Sequence, residues 1–185
     1  VELYDTVDYV RIRPLQGLAR VGGAKHPKQL ERYEAFAVHR GPDQKPFTDD
    51  DVDLFQVRPR WALEEFRVRE NDDDVAWVGS IDPVTGVFTP AVDGPNPQRK
   101  WQANNVGDVF VTAAVELEVN VRPDPPKPPA KPAAGAPVPD TVDKPTAPHE
   151  PEPPRRERKT FRARAHLIVT VPLYVRWQSL DWEAR

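Results

Sequence analysis

Thirteen of the chain's 23 prolines fall between Pro123 and Pro154. Each lacks a backbone N–H and holds φ near its own fixed value, so the tract builds neither helix nor sheet and prefers polyproline II. It divides a chain of 185 residues into two unequal pieces that must carry all the regular structure. The second piece has one strongly apolar stretch, Ala165-His166-Leu167-Ile168-Val169-Thr170-Val171. A strand of that kind cannot bury its faces alone. It is expected to pair beside Val109–Val121, the longest alternating stretch of the first piece, which makes the proline tract an excursion within one sheet. The tract itself has almost no apolar side chain larger than Val, and a large partner surface is the expected restraint on it.

The first piece reads as antiparallel strands throughout. Asp8–Arg13 alternates and is closed by Pro14, which suits an edge strand. Leu18–Val21 is a very short strand running into Gly22-Gly23, where positive φ is expected. Gln29–Arg40 has Tyr33, Ala35 and Ala37 on one face and Glu34, Phe36 and Val38 on the other; Leu30, Tyr33 and Ala37 also fit a helical period, but strand is preferred because Gly41-Pro42-Asp43 stops it sharply. Trp61 opens a further strand and is expected to fill the core between two sheets. Val75–Ile81 reads as a strand, Asp82-Pro83-Val84-Thr85-Gly86 as a tight turn, and Val87-Phe88-Thr89 as the return. Asn104–Asp108 is a turn with candidates for left-handed residues. Divided along the chain, this gives an amino-terminal extension (1–16), a β-sandwich (17–121), a proline-rich and basic excursion (122–160), a closing strand (161–173) and an aromatic tail (174–185).

Composition narrows the function classes. A net charge of −3 gives no general attraction to nucleic acid or to anionic lipid. With no cysteine the chain holds no disulfide, thiolate metal site or thioether-linked haem. No stretch is apolar for the ~20 residues that a membrane-spanning helix needs. The chain begins at Val1 and has no methionine. We read this as a lost start, with a cleaved export signal the leading explanation, so the expected location is periplasmic or otherwise exported.

Candidate sites are few. Asp43, Asp49, Asp50, Asp51 and Asp53 crowd one loop, and carboxylates in a loop can ligate Ca²⁺. Asp43, Asp49 and Asp51 are the candidates, without the residue order of a calcium loop, and a solvated acidic turn is the plainer reading. Glu70–Asp74 reads the same way. Arg99, Lys100 and Trp101 form a small basic and aromatic patch, read most simply as cationic stems lying on Trp101 at the surface. Arg155–Arg164 is strongly basic, but a nucleic-acid arm would need more than Phe161 for stacking. Charge contact with an acidic neighbour, or with the chain's own Asp loops, fits better. Trp177 and Trp182 sit on a terminal segment too short to bury them. Trp101, Arg155, Arg156, Phe161, Trp177 and Trp182 are therefore the candidate partner contacts. The histidines at 26, 39, 149 and 166 show no spacing with carboxylates that would suit a hydrolase or metal enzyme.

Two resemblances attach to these residues. Tyr33-Glu34-Ala35, Trp61-Ala62-Leu63, the turn from Ile81-Asp82 to Gly86-Val87, and Gly107-Asp108 through Ala113-Ala114-Val115 resemble bacterial immunoglobulin-like modules. More closely, five loop motifs in register resemble the carboxy-terminal immunoglobulin-like domain of the α subunit of quinohaemoprotein amine dehydrogenase. These are Gly17–Gly23, Gly41-Pro42-Asp43 with Thr48–Asp51, Gly86–Ala91, Gly94-Pro95-Asn96-Pro97 and Asn104-Asn105-Val106-Gly107, and His166–Val171 looks like that domain's last strand. The resemblance implies an all-β, immunoglobulin-like antiparallel sandwich with a long proline-rich insertion before its last strand. It also implies a structural part in a periplasmic complex that oxidatively deaminates primary amines. Without Cys-x-x-Cys-His or any Cys, no haem or quinone site carries over to this chain. Haem c and a tryptophan-derived quinone are expected in partner subunits, with no catalytic residue here. The alternative is a free-standing exported immunoglobulin-like binding module with no redox partner.

Overall fold

The structure, a computed structural model, describes residues 6–23, 26–99, 104–121 and 155–172. Tyr4, Lys100, Trp101, the proline tract, Trp177 and Trp182 lie outside the described residues. Ten strands and one short helix follow in order: β1 (Tyr9–Arg13), β2 (Gln16–Arg20), β3 (Glu31–Arg32), β4 (Glu34–His39), β5 (Val52–Val57), β6 (Arg60–Glu65), α1 (Asp74–Trp77), β7 (Gly79–Ile81), β8 (Val87–Pro90), β9 (Gly107–Val121) and β10 (Arg155–Thr170). They form sheets β1-β4-β5, β2-β10-β9-β6 and a small β3-β8-β7. All pairs are antiparallel except β2 with β10.

That parallel pair follows from the edge strand. β1 ends at Arg13, before Pro14, which has no N–H to continue the ladder, and the chain passes from the first sheet to the second before β2. β2 then lies along the last strand, from His166 opposite Gln16 to Thr170 opposite Arg20. The closing strand pairs with β9 as its apolar pattern requires, but the pairing starts earlier than the apolar residues do. β10 begins at Arg155, so the basic segment 155–160 is strand and not part of the excursion. Backbone pairing carries the register outward from Phe161 opposite Val115 to Arg155 opposite Val121, where β10 itself contributes no apolar side chain and burial comes from Leu117 and Val119 of β9.

The core lies between the two larger sheets, and alternation places it. Val109, Val111 and Ala113 of β9 and Phe161, Ala165, Leu167 and Val169 of β10 point inward against Val10, Ile12, Ala35 and Ala37. Trp61 is 4% exposed, and its ring lies 6.2 Å from that of the buried Tyr33. The turn after Ile81 is seated on both residues: Trp61 donates its backbone N–H to the Pro83 carbonyl and Tyr33 donates to that of Gly86. Gly86 takes φ +70°, and a Cβ there would come within 2.8 Å of the Trp61 ring. Only glycine meets both demands. The Asp82 carboxylate closes the turn by accepting the Val84 and Thr85 amides.

Three local expectations are corrected. Val75–Ile81 is not one strand: Asp74–Trp77 is a helical turn and only Gly79–Ile81 is strand. Acidic side chains at its start explain the difference, since Val75 donates its N–H to Glu65 and the Trp77 indole donates to Asp73. Gly22 and Gly23 lack positive φ. Gly22 is needed for room, because a Cβ would meet the Lys28 nitrogen at 2.6 Å. At the start of β9 it is Gly107, at φ +155°, that leaves the usual regions.

Candidate partner interface and the cluster that braces it

Among the described residues, a buried cation holds the stretch that leads into β9. Arg99, 6% exposed, donates through one terminal nitrogen to the carbonyls of Asn104 (2.7 Å) and Val106 (2.6 Å). Its other terminal nitrogen donates to Asp73 Oδ1 at 3.1 Å and to Asp74 Oδ1. The second Asp74 oxygen accepts the Asp108 N–H at 2.9 Å. Gly107 passes so close to Asp74 that a Cβ would fall 2.2 Å from its carboxyl carbon. Asn96 and Asn105 bond side chain to side chain at 2.8 Å, and Asn105 also donates to the Val92 carbonyl. Burying an ion pair costs less where hydrogen bonds satisfy what the pair leaves over, and here they satisfy both terminal nitrogens, while Arg99 Nε is buried without a hydrogen bond to any described residue.

Two expectations give way at this cluster. Arg99 is not a surface cation lying on an aromatic ring, and Asp73 and Asp74 are not a solvated acidic turn. A patch of three residues hid a guanidinium whose partners lie 25 and 26 residues upstream, a separation at which no local pattern connects them. The available signal was the repeated Asn and Gly around it, which marks backbone that needs side-chain support.

Glu65, Asp72 and Asp74 bring carboxylate oxygens within 4.8 Å of one another. Burial first, then the neighbouring Asp74 and Asp72, push the Glu65 carboxyl above its ordinary range, against the Val75 N–H that lowers it. Both Asp74 oxygens are engaged, one by the Arg99 guanidinium and the other by the Asp108 N–H.

The acidic loop uses its carboxylates on itself. Asp43 accepts the Lys45 amide, Asp50 accepts the Asp43 amide and the Thr48 hydroxyl, and Asp51 accepts the Thr48 amide and the Tyr9 hydroxyl. The Thr48 hydroxyl, then the Asp43 amide, hold the Asp50 carboxyl below its usual range. Asp53 pairs with Arg11 and Arg13. Among the described residues the fold does not gather Asp43, Asp49 and Asp51 into a group that could share one cation.

The partner-contact candidates separate. Phe161 is 6% exposed and belongs to the core, with the Lys159 ammonium 5.3 Å from its ring centre, so it offers no aromatic surface. The alternation that places Ala163 and Ala165 inward places Phe161 inward too. Arg155 opens β10, and Arg156 is exposed. Of the exposed arginines beyond it, two meet glutamates of the same sheet and not the Asp loops: Arg158 lies 3.6 Å from Glu118 of the adjacent β9, and Arg164 lies 3.0 Å from Glu64 of β6. Beside Arg164, on the outer face of the four-stranded sheet, the Phe66 ring stacks on His166 and meets Phe110 edge-on. No helix among the described residues is long and apolar enough to cross a membrane.

A comparison with curated proteins returns no match. A family model described as quinohemoprotein amine dehydrogenase, alpha subunit domain IV, matches residues 10–122, from β1 to the end of β9. The matched span takes in Trp61 with its Gly86 turn and the Arg99–Asp74 cluster with its asparagines. The chain therefore belongs to the family of domain IV of the quinohemoprotein amine dehydrogenase alpha subunit.

Proposed function

We propose that this chain is a non-catalytic structural and assembly unit of a periplasmic amine dehydrogenase complex, in which haem c and a tryptophan-derived quinone reside in partner subunits. The family membership carries this reading. The motifs within the matched span support it by the work they do: Gly86 makes room for Trp61, Gly107 makes room for Asp74, and Asn96 bonds Asn105 through its side chain and accepts the Arg99 N–H on its carbonyl. These are tasks of holding loops in place. Substrate oxidation and electron transfer fall to the partners, and this domain gives them a rigid surface.

Purification from the native source under mild conditions tests the proposal through the absorption spectrum and the subunit masses of the isolated material. Haem and quinone bands that co-elute in fixed ratio with the chain are expected. A colourless chain that elutes alone would contradict the proposal and favour the free-standing binding module.

A further inference from the structure

Beyond Arg164, β10 runs outward with one side open. β2 covers only His166–Thr170, and among the described residues nothing pairs with that side of β10 from Arg156 to Arg164. The direction of the open groups follows from the covered part. The His166 N–H donates to the Leu15 carbonyl, and the Thr170 carbonyl accepts the Val21 N–H, so even-numbered residues direct both groups toward β2. Strand geometry repeats every two residues. The N–H and C=O groups of Arg156, Arg158, Thr160, Arg162 and Arg164 therefore emerge from the open side, and their exposed side chains all share one face. Glu157 and Lys159 on the opposite face are also exposed, while Val119 and Leu117 opposite them on β9 keep the hairpin's contact with the core.

The side chains on that face are four arginines around one threonine. Arg158 and Arg164 meet glutamates at the surface, with 71% and 64% of their side chains exposed, which leaves most of their charge to solvent. Arg156 and Arg162 make no ion pair with a described residue. Where β1 lies beside β10, a mainly apolar cleft of about 580 Å³ adjoins the row, lined in part by Tyr9, Leu15, Arg40, Phe47, Arg162 and Arg164.

We propose that this edge of β10 is a docking strand for an extended acidic segment of a partner protein. The incoming strand would bond the free main-chain groups and place carboxylates at alternate residues opposite Arg156, Arg158, Arg162 and Arg164, with a neutral residue opposite Thr160. Charge decides the occupant. Two copies of this edge would set arginine against arginine, so self-pairing is disfavoured and an acidic strand is selected. The inference stands independently of redox partners, because it specifies the partner segment by its chemistry alone.

A titration of the full chain separates the outcomes. The probes are a blocked peptide alternating Glu with Val and long enough to cover Arg156–Arg164, the same peptide with Lys for Glu, and a Glu peptide with proline at the residues whose amides would pair. Only the unbroken Glu peptide should bind, and amide exchange at Arg156, Arg158, Thr160, Arg162 and Arg164 should slow by about tenfold at saturation. The double variant R156E/R162E should lose the Glu peptide and gain the Lys peptide, a reversal that an unfolded chain would not give. Equal binding of the proline peptide would overturn the proposal, as would concentration-dependent dimerisation through this edge. Failure of every peptide to bind would also overturn it and leave the arginines as guards against edge-to-edge association.

Discussion

Arg99 and Arg162 are the same residue in opposite circumstances. Arg99 is buried, and its terminal nitrogens meet two carboxylates and two carbonyls from segments far apart in the sequence. Arg162 stands on an exposed face with no ion pair to a described residue, on a strand whose neighbouring side is open. The first is tied to the folded state by the desolvation it would suffer unpaired. The second is hydrated with or without the fold. A charged residue becomes structural when water is removed from it, and it remains available for recognition when water stays.

The sharpest way to break the contrast is to remove the buried cation. R99M would leave Asp74 buried without its counter-charge, and urea unfolding should register a loss of about 3–5 kcal/mol. Adding D74N should restore part of that loss, because the amide oxygen can still accept the Asp108 N–H. G107A attacks the same cluster through space rather than charge: the added methyl would enter the Asp74 carboxylate and cost about 1–3 kcal/mol by the same measurement.

A smaller effect lies in pH. Burial raises the Glu65 carboxyl in the folded state, so between its ordinary and its raised value the native chain binds more protons than the unfolded chain. This contribution to stability should fall as pH rises through that window, leaving the charged form a cost at neutral pH. E65Q keeps an acceptor for the Val75 N–H and removes the charge, so thermal unfolding of the variant should be flatter than wild type over that interval. The smallest effect belongs to the edge: R162E should change unfolding free energy by less than about 0.5 kcal/mol, as at other exposed sites. A loss comparable with that of R99M would mean that the edge is part of the folding core.

Much of the fold was legible in the sequence for a physical reason. Apolar alternation is local, so β9, the inner half of β10 and the place of Trp61 could be read directly, as could the Asp82–Gly86 turn, whose Asx bonds span only a few residues. The resemblance motifs found the family because those loops need special residues. What escaped notice depends on distant partners or on the backbone. Asp74 reads as polar decoration until Arg99 is placed beside it, and Val75–Trp77 reads as strand until Glu65 takes up an amide at the helix start. The outer half of β10 has no apolar alternation and is strand because β9 continues opposite it. A signal was present there too: Arg156, Arg158, Arg162 and Arg164 all fall on even positions, with Thr160 between them, and a strand displays alternate residues on one face.

Amide hydrogen exchange, measured on the chain alone and in the complex isolated from its native source, tests the account most directly. Amides of the even-numbered residues from Arg156 to Arg164 should exchange freely in the isolated chain and slowly in the complex. The Asp108 amide, held on Asp74, should be equally protected in both. Unchanged exchange along β10 on assembly would contradict the claim that this domain serves its partners through that edge.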